Sequence, residues 1–373
     1  MDSRERVRRA IRFEGPDRSP VMHAVLPAGW FQHGAALHAI LRRYPTDLAA
    51  ATAPVGDRAG GGATFGYQGS RDLAALYPVA DDFGYLDTRS FQLGLPGAAG
   101  LTSDEWGCVW EKLDPGVVGQ VVWHPIADWE AFDSFRWPDP LAHWRFDRPA
   151  IDARIQSARA AGKYVVAYAG NLFELMQWLR GYDALMIDLA EAPDRVTALA
   201  ERVADYVLAT VEAWLGCDGD AIAFNDDWGT QLQLMIRPSV WRELFAPHYR
   251  RLFDRVHAAG RDVHFHTDGN TLEVLPDLVG LGVDVVNLQL SAMDLDATAR
   301  AIGGKVCLRT DIDRQYILTR ASPAEVTDYV RRVFELFGGP HGGVIACGEI
   351  NSDSKLENVA AMYAAFERFG RCR

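Results

Sequence analysis

From position 164 onward, six short runs of core-type residues punctuate the chain: YVVAYAG (164–170), AIAFND (221–226), DVHFH (262–266), DVVNLQL (284–290), KVCLRTD (305–311) and GVIAC (343–347). Each is followed by a stretch with apolar residues at helical spacing, such as DRVTALAERVADYVLATVEAWLG or PSVWRELFAPHYRRLFDRVHAAG. In the second of these, Pro238 suits a first helical turn and Gly260 a stop. A run that is apolar throughout belongs to a strand covered on both faces, and strands that alternate with helices pair in parallel. With PVMHAVL (20–26) near the start, the series predicts a (β/α)8 barrel rather than an open sheet, read as one domain over residues 1–373.

The rhythm breaks between about 54 and 150. That segment is rich in Gly, Pro, Asp and Trp, as in DDFGYLD, DEWGCVWEKLDPG and DSFRWPDP, and reads as an inserted cap of loops and short strands over the barrel mouth. Barrel active sites stand at the C-terminal ends of the strands. Those positions carry Gly170-Asn171 with Glu174, Asn225-Asp226-Asp227-Trp228, His264-His266-Asp268, Asn287-Gln289, Arg309-Asp311 and Cys347-Glu349. A polar pocket at the mouth is expected. The formal net charge of −12 argues against nucleic acid or an anionic membrane as partner. The charged start, MDSRERVRRAIRFEGPDRSP, has no apolar signal core, no stretch approaches ~20 apolar residues, and the five cysteines form no CxxC pair. A cytoplasmic protein acting on a small molecule is therefore expected.

Within DVHFHTDGN, His264, His266 and Asp268 recur at period two and so share one side of a strand. His266 and Asp268 at the rim make a candidate pair for a borderline metal, with Cys347 and Glu349 of the last strand end as further ligands. The mixed N/O/S set suits Zn²⁺ best, with Fe²⁺ and Mn²⁺ as alternatives. The competing reading has a core histidine and an aspartate that caps the next helix; it is the stronger one for His264. Asp226 and Asp227 are adjacent and point apart, so one faces the pocket as an acid, base or cation-binding group while the other is a buried acceptor or a cap. Glu174 joins them as a candidate catalytic acid. Trp30, Asn225, Trp228, Gln289 and Arg309 are candidate substrate contacts, the tryptophans suiting a flat or apolar ligand. CDGD (217–220) falls on the wrong face of the barrel, and GGPHGG (338–343) lacks what a phosphate loop needs.

The stretches RRAIRFEGPDRSPV, NDDWGTQLQLMIRPSVWRELFAPHYRRLFDRVHAAGRDVHFHTDGN and GGVIACGEINSDSKLENVAAMYAAF resemble the uroporphyrinogen decarboxylase superfamily, as does the inserted segment DEWGCVWEKLDPGVVGQVVWHPIADWEAFDSFRWPDP. The resemblance is to its methyltransferase-like branch, which includes zinc-dependent cobamide methyltransferases. It spans nearly the whole chain and implies a distorted (β/α)8 barrel. The decarboxylase proper holds substrate carboxylates with an arginine-rich stretch after the first strand. Here that stretch is VLPAGWFQHGAALHAILRR, with no arginine before Arg42. An eight-carboxylate tetrapyrrole finds too few cations there, so true uroporphyrinogen decarboxylation is not expected.

The methyltransferases hold zinc through a His-x-Cys-Gly-Asn pattern and a later cysteine. Here the pattern is His266-Thr267-Asp268-Gly269-Asn270, with aspartate in place of the first cysteine, and the later cysteine falls on Cys347 with Glu349 as its alternate. Fewer thiolates leave zinc more electrophilic, which suits polarising a substrate oxygen over activating a thiol. The resemblance thus implies a zinc-dependent methyltransferase or demethylase of a small O- or N-methyl substrate. A corrinoid would ride on a separate protein, because no Asp-x-His-x-x-Gly signature occurs in this chain. The alternatives are decarboxylation of a small non-porphyrin carboxylate and a binding protein built on the same barrel.

Overall fold

All seven residues of Tyr164–Gly170 are buried, as a strand covered on both faces requires. The structure, a computed structural model, describes residues 1–50, 100–112, 119–140 and 148–372. Its strands are β1 (Ala24–Val25), β2 (Leu48–Ala50), β3 (Gly100–Ser103), β4 (Val109–Lys112), β5 (Gln120–Trp123), β6 (Tyr164–Gly170), β7 (Ala221–Asn225), β8 (Asp262–Thr267), β9 (Val285–Leu288), β10 (Cys307–Arg309), β11 (Val344–Ile345) and β12 (Glu349–Ile350). Seven of them form one parallel sheet in the order β11-β10-β9-β8-β7-β6-β2.

The two edges of that sheet are joined by residues 20–25. On one side Val21 bridges Ala346 in parallel, Ala346 N–H donates to the Pro20 carbonyl at 2.7 Å, and β1 pairs with β12. On the other, Asp47 N–H donates to the Val21 carbonyl at 2.8 Å. The sheet closes into a distorted (β/α)8 barrel. The strand that sequence periodicity does not reveal is β2. It has three residues, too few for a period, and the preceding Tyr-Pro-Thr-Asp reads as a turn.

The helix Ser3–Arg12 lies across the N-terminal ends of the strands. Val7 and Ala10 are fully buried, and its arginines reach Asp220 and Asp47, which precede β7 and β2. The run expected as one helix after β6 is two, Phe173–Arg180 and Tyr182–Glu191, broken at Gly181. Gly181 has φ +90°, and His124 packs so close to it that a Cβ would meet the ring at 3.1 Å. The helix expected from Pro238 is interrupted by a π-turn over Trp241–Phe245, ahead of Pro247, which has no N–H to continue the ladder.

Of the expected cap, residues 54–99, 113–118 and 141–147 lie outside the described residues. The described part includes an antiparallel sheet, β3-β4-β5. It rests on the helix Phe173–Arg180: His124 Nδ1 and Cys108 Sγ bond the Trp178 carbonyl at 2.8 and 3.3 Å, and Ile126 N–H donates to the Leu179 carbonyl at 2.9 Å. None of the described helices is long and apolar enough to cross a membrane.

Candidate functional site

The C-terminal ends of β7 and β8 run on past the sheet side by side. Asn225 pairs with His266, then Asp226 N–H donates to the His266 carbonyl at 3.0 Å and Gly229 N–H to the Asp268 carbonyl at 3.1 Å. On such extended backbone, neighbouring side chains point apart. Asp226 is buried against the helix layer. Its carboxylate accepts from Leu172 N–H (2.8 Å), Glu174 N–H (2.9 Å) and Tyr249 O–H (2.6 Å). It therefore caps the helix Phe173–Arg180, whose own N-cap, Leu172, offers no side-chain bond. Burial pushes its carboxyl up to about 7 against the pull of these donors.

Asp227 turns the other way and accepts from Asp268 N–H at 2.9 Å. His266 Nε2 stands 3.6 Å from Asp227 Oδ1 and 3.6 Å from Asp268 Oδ1. The imidazole is set by Asn287. Asn287 Nδ2 donates to the Arg309 carbonyl at 2.9 Å, so its Oδ1 faces His266 Nδ1 at 2.6 Å and takes that N–H. In the neutral ring Nε2 is then the bare nitrogen, and it is aimed at two carboxylate oxygens. The Asp268 oxygen, Oδ1, is buried and has no hydrogen-bond partner. Three lone-pair atoms converging this closely repel one another unless a cation or proton lies between them.

A divalent ion bound tetrahedrally at about 2.0–2.1 Å separates its ligands by roughly 3.4 Å, close to the 3.6 Å from His266 Nε2 to each carboxylate oxygen, and all three ligand atoms lie within 4.8 Å of one another. The set Asp227–His266–Asp268 fits such an ion and leaves its fourth side open. Asn287 is the outer partner that fixes the imidazole.

Around this group lies Arg314, three residues past Asp311 on the loop after β10. It pairs with Asp268, with Asp311 Oδ2 at 2.9 Å and with Glu349 at 3.5 Å. Burial works against its charge, but the three carboxylates overcome that and hold its pKa above the usual value. Sequence reasoning overlooked Arg314 because a loop residue has no period. The only signal was a basic residue three positions past the strand-end group Arg309-Thr310-Asp311. Asp311 is buried and pushed up to about 7 by desolvation, with Arg314 opposing. Glu174 is raised well above the usual carboxylate range, first by burial and then by Asp227 and Asp226. Its Oε2 accepts from Asn171 Nδ2.

The other expected residues are placed as follows. Glu349 is tied to Arg314 and does not join the three-ligand group. Cys347 also lies outside that group. It is buried, its backbone is clasped by the Thr310 hydroxyl, and burial pushes its thiol up to about 12, which disfavours the thiolate that a metal needs. Trp228 is fully buried, stacked on Phe173 at 4.0 Å with its N–H on Tyr249, and so belongs to the helix layer instead of a pocket wall. Trp30 is also buried. Gln289 Oε1 accepts from Gly269 N–H at 2.9 Å and steadies the loop that carries Asp268. Arg309 Nη2 donates to Asn287 Oδ1 at 2.5 Å. His264 sits in the core against Tyr164, and burial pushes it down to about 3.

Residues 115–369 match the family model for uroporphyrinogen decarboxylase (URO-D), more than half of the chain. The chain belongs to that family. Among its relatives, the uroporphyrinogen decarboxylase of Methylococcus capsulatus is 24% identical over 244 residues, covering 62% of this chain and 67% of the relative. That of Magnetococcus marinus is 28% identical over 187 residues, 49% of this chain and 51% of the relative. The matched region thus spans half to about two thirds of these curated relatives. A solved methyltransferase from Methanosarcina mazei superposes over 99% of both chains with a TM-score of 0.67 at 16% identity. This likeness supports the barrel fold of the described residues.

Proposed function

We propose that this family member is a zinc-dependent methyltransferase, which removes a methyl group from a small O- or N-methyl substrate and passes it to a corrinoid carried by a separate protein. The observation that carries this reading is the convergence of His266 Nε2 with Asp227 and Asp268 at 3.6 Å, around an aspartate oxygen that has no other partner. Asp227, His266 and Asp268 would hold the ion, which supplies Lewis acidity toward the substrate heteroatom. Asn287 keeps the imidazole turned toward it, and Arg314 keeps the outer oxygen of Asp268 occupied. Glu174, raised toward its neutral form, holds the proton that the heteroatom takes as its bond to the methyl carbon breaks and the electron pair stays behind. Asp226 keeps Glu174 in place through its backbone N–H.

A decarboxylase of small carboxylates is the second reading and has less support. Arg309 is engaged by Asn287 and Arg314 by three carboxylates, so neither of these cations is available for a substrate carboxylate. The Methanosarcina mazei neighbour is a methyltransferase, which favours the first reading. The five free cysteines suit a cytoplasmic enzyme.

Metal analysis of the purified protein tests this. Stoichiometric zinc is expected, with Zn²⁺ affinity falling at least about tenfold in His266→Ala and Asp227→Asn and unchanged in His264→Gln. A wild-type protein that binds no divalent ion would overturn the methyltransferase reading and leave the decarboxylase.

A further inference from the structure

Between the antiparallel sheet β3-β4-β5 and the helices Phe173–Arg180 and Tyr182–Glu191 lies a cavity of about 690 Å³. Its walls include Trp110, Trp178 and Tyr182, and Trp110 and Trp178 meet edge to face at 5.3 Å. The Trp110 N–H is already donated to Asp104 at 2.8 Å, so this indole offers the cavity its ring alone. The acidic lining residues are Glu174, whose carboxyl feels the charges of Asp227 and Asp226, and Asp183. The one lining arginine, Arg180, is engaged elsewhere: it pairs with Asp188 at 2.7 Å, bonds the carbonyls of Ile126 and Ala127, and lies over the Trp129 ring.

These observations select a charge type. An anionic ligand would meet the Asp183 carboxylate and no lining arginine with bonds to spare. A neutral polar ligand would gain little from indole faces. Aromatic faces together with the Asp183 carboxylate attract cations whose charge is spread over apolar alkyl groups, because the ring quadrupole and the carboxylate act in the same direction while the alkyl groups are desolvated. We propose that this cavity binds a small alkylammonium ion, with its alkyl groups against Trp110, Trp178 and Tyr182 and its reacting end toward Glu174. The inference names the substrate class within the methyltransferase reading and rests on that reading for the methyl acceptor. On methyl transfer from a quaternary ammonium ion the C–N bond breaks, its electron pair stays on nitrogen, the methyl passes to the reduced corrinoid acceptor, which supplies the pair for the new bond, and the amine leaves uncharged without taking a proton.

Isothermal titration of the full chain tests the binding without any turnover. Choline serves as the probe, with 3,3-dimethylbutan-1-ol as its uncharged isostere and acetate as an anionic control. Choline is expected to bind about tenfold more tightly than the isostere, and acetate not at all. Trp178→Leu is expected to weaken choline about tenfold. Tyr182→Ala, a change at the exposed rim that leaves the core intact, is expected to weaken it severalfold, with melting curves confirming that both variants are folded. Equal binding of the isostere, binding of acetate, no choline binding, or choline binding that both variants leave unchanged would each overturn the proposal. Repeating the titration on His266→Ala separates the two readings. Choline binding that survives with zinc lost in all forms sinks only the metal-dependent mechanism, and zinc binding without choline binding sinks only the cation site.

Discussion

Asp311 is a buried carboxyl at the end of β10, and the guanidinium of Arg314 is its ion-pair partner at 2.9 Å. Removing one member of a buried pair strands the other, at a cost of about 3 kcal/mol or more. Arg314→Met should therefore destabilise the fold by about that amount at pH 8. The pH dependence has a defined sign. The Asp311 carboxyl is already raised to about 7, so the folded chain holds its proton more tightly than the unfolded chain does. The stability tied to that proton is complete below about pH 4 and is lost as the pH rises through about 7. Without Arg314 the carboxyl rises further, so the penalty of the variant should shrink between pH 8 and pH 5.5, as read from urea midpoints. An equal penalty at both values would refute the assignment. Arg314 also marks how far the site was legible in the sequence. His266 and Asp268 share a strand, and period two alone places them together. Asp227 reaches them only through the register of β7 on β8, and Arg314 only through the path of a loop. Such placements depend on partners distant along the chain, and no local pattern encodes them.

The crossing of two strand extensions holds the three-ligand group together. Gly229, after β7, and Gly269, after β8, lie in backbone contact, and a Cβ on Gly269 would collide with the Gly229 carbonyl group. Gly269 also has φ +78°, a conformation that costs other residues about 1–2 kcal/mol. Strain and collision together put Gly269→Ala at about 3 kcal/mol of lost stability. Because the residue adjoins Asp268, Zn²⁺ affinity should fall as well. Gly260→Ala is the matched control. Gly260 has φ +68° but open space where its Cβ would lie, so that variant should lose about 1 kcal/mol and keep its affinity for zinc. Equal losses in the two variants would show that the close approach of the extensions contributes nothing. The helix Phe173–Arg180 follows a similar rule, since its start is held by Asp226 from the neighbouring strand end. A local search for a capping residue at Leu172 finds none.

At the scale of the whole molecule, the parallel strands β6 to β9 were legible because a strand sandwiched between packed layers is apolar throughout. The segment 20–25 was legible as a strand, but not as the stave that closes the ring between β2 and β11, because its pairing joins residues more than 300 positions apart. The seal at the N-terminal end of the barrel is ionic. Asp220 is buried and accepts from Arg4 at 2.9 Å, Arg8 at 3.1 Å, Arg159, and the Val165 N–H at 2.9 Å, tying the helices Ser3–Arg12 and Arg148–Ala160 to β6 and the start of β7. Arg4 and Arg8 are about a third exposed, so water takes them back readily when the aspartate is lost, and their share is small. The loss falls on Arg159 and on the Val165 N–H, which has no water to turn to. Asp220→Ala should therefore cost about 3 kcal/mol, and the more conservative Asp220→Asn less, because its amide oxygen can still accept from Val165. Both costs should stay nearly constant between 0.1 and 1 M salt, since a buried pair is screened far less than a surface one. If instead the effect of Asp220→Ala fades with added salt, the seal at Asp220 is a surface ion pair, and the N-terminal helix is held by the buried Val7 and Ala10 and by Arg6 on Asp47.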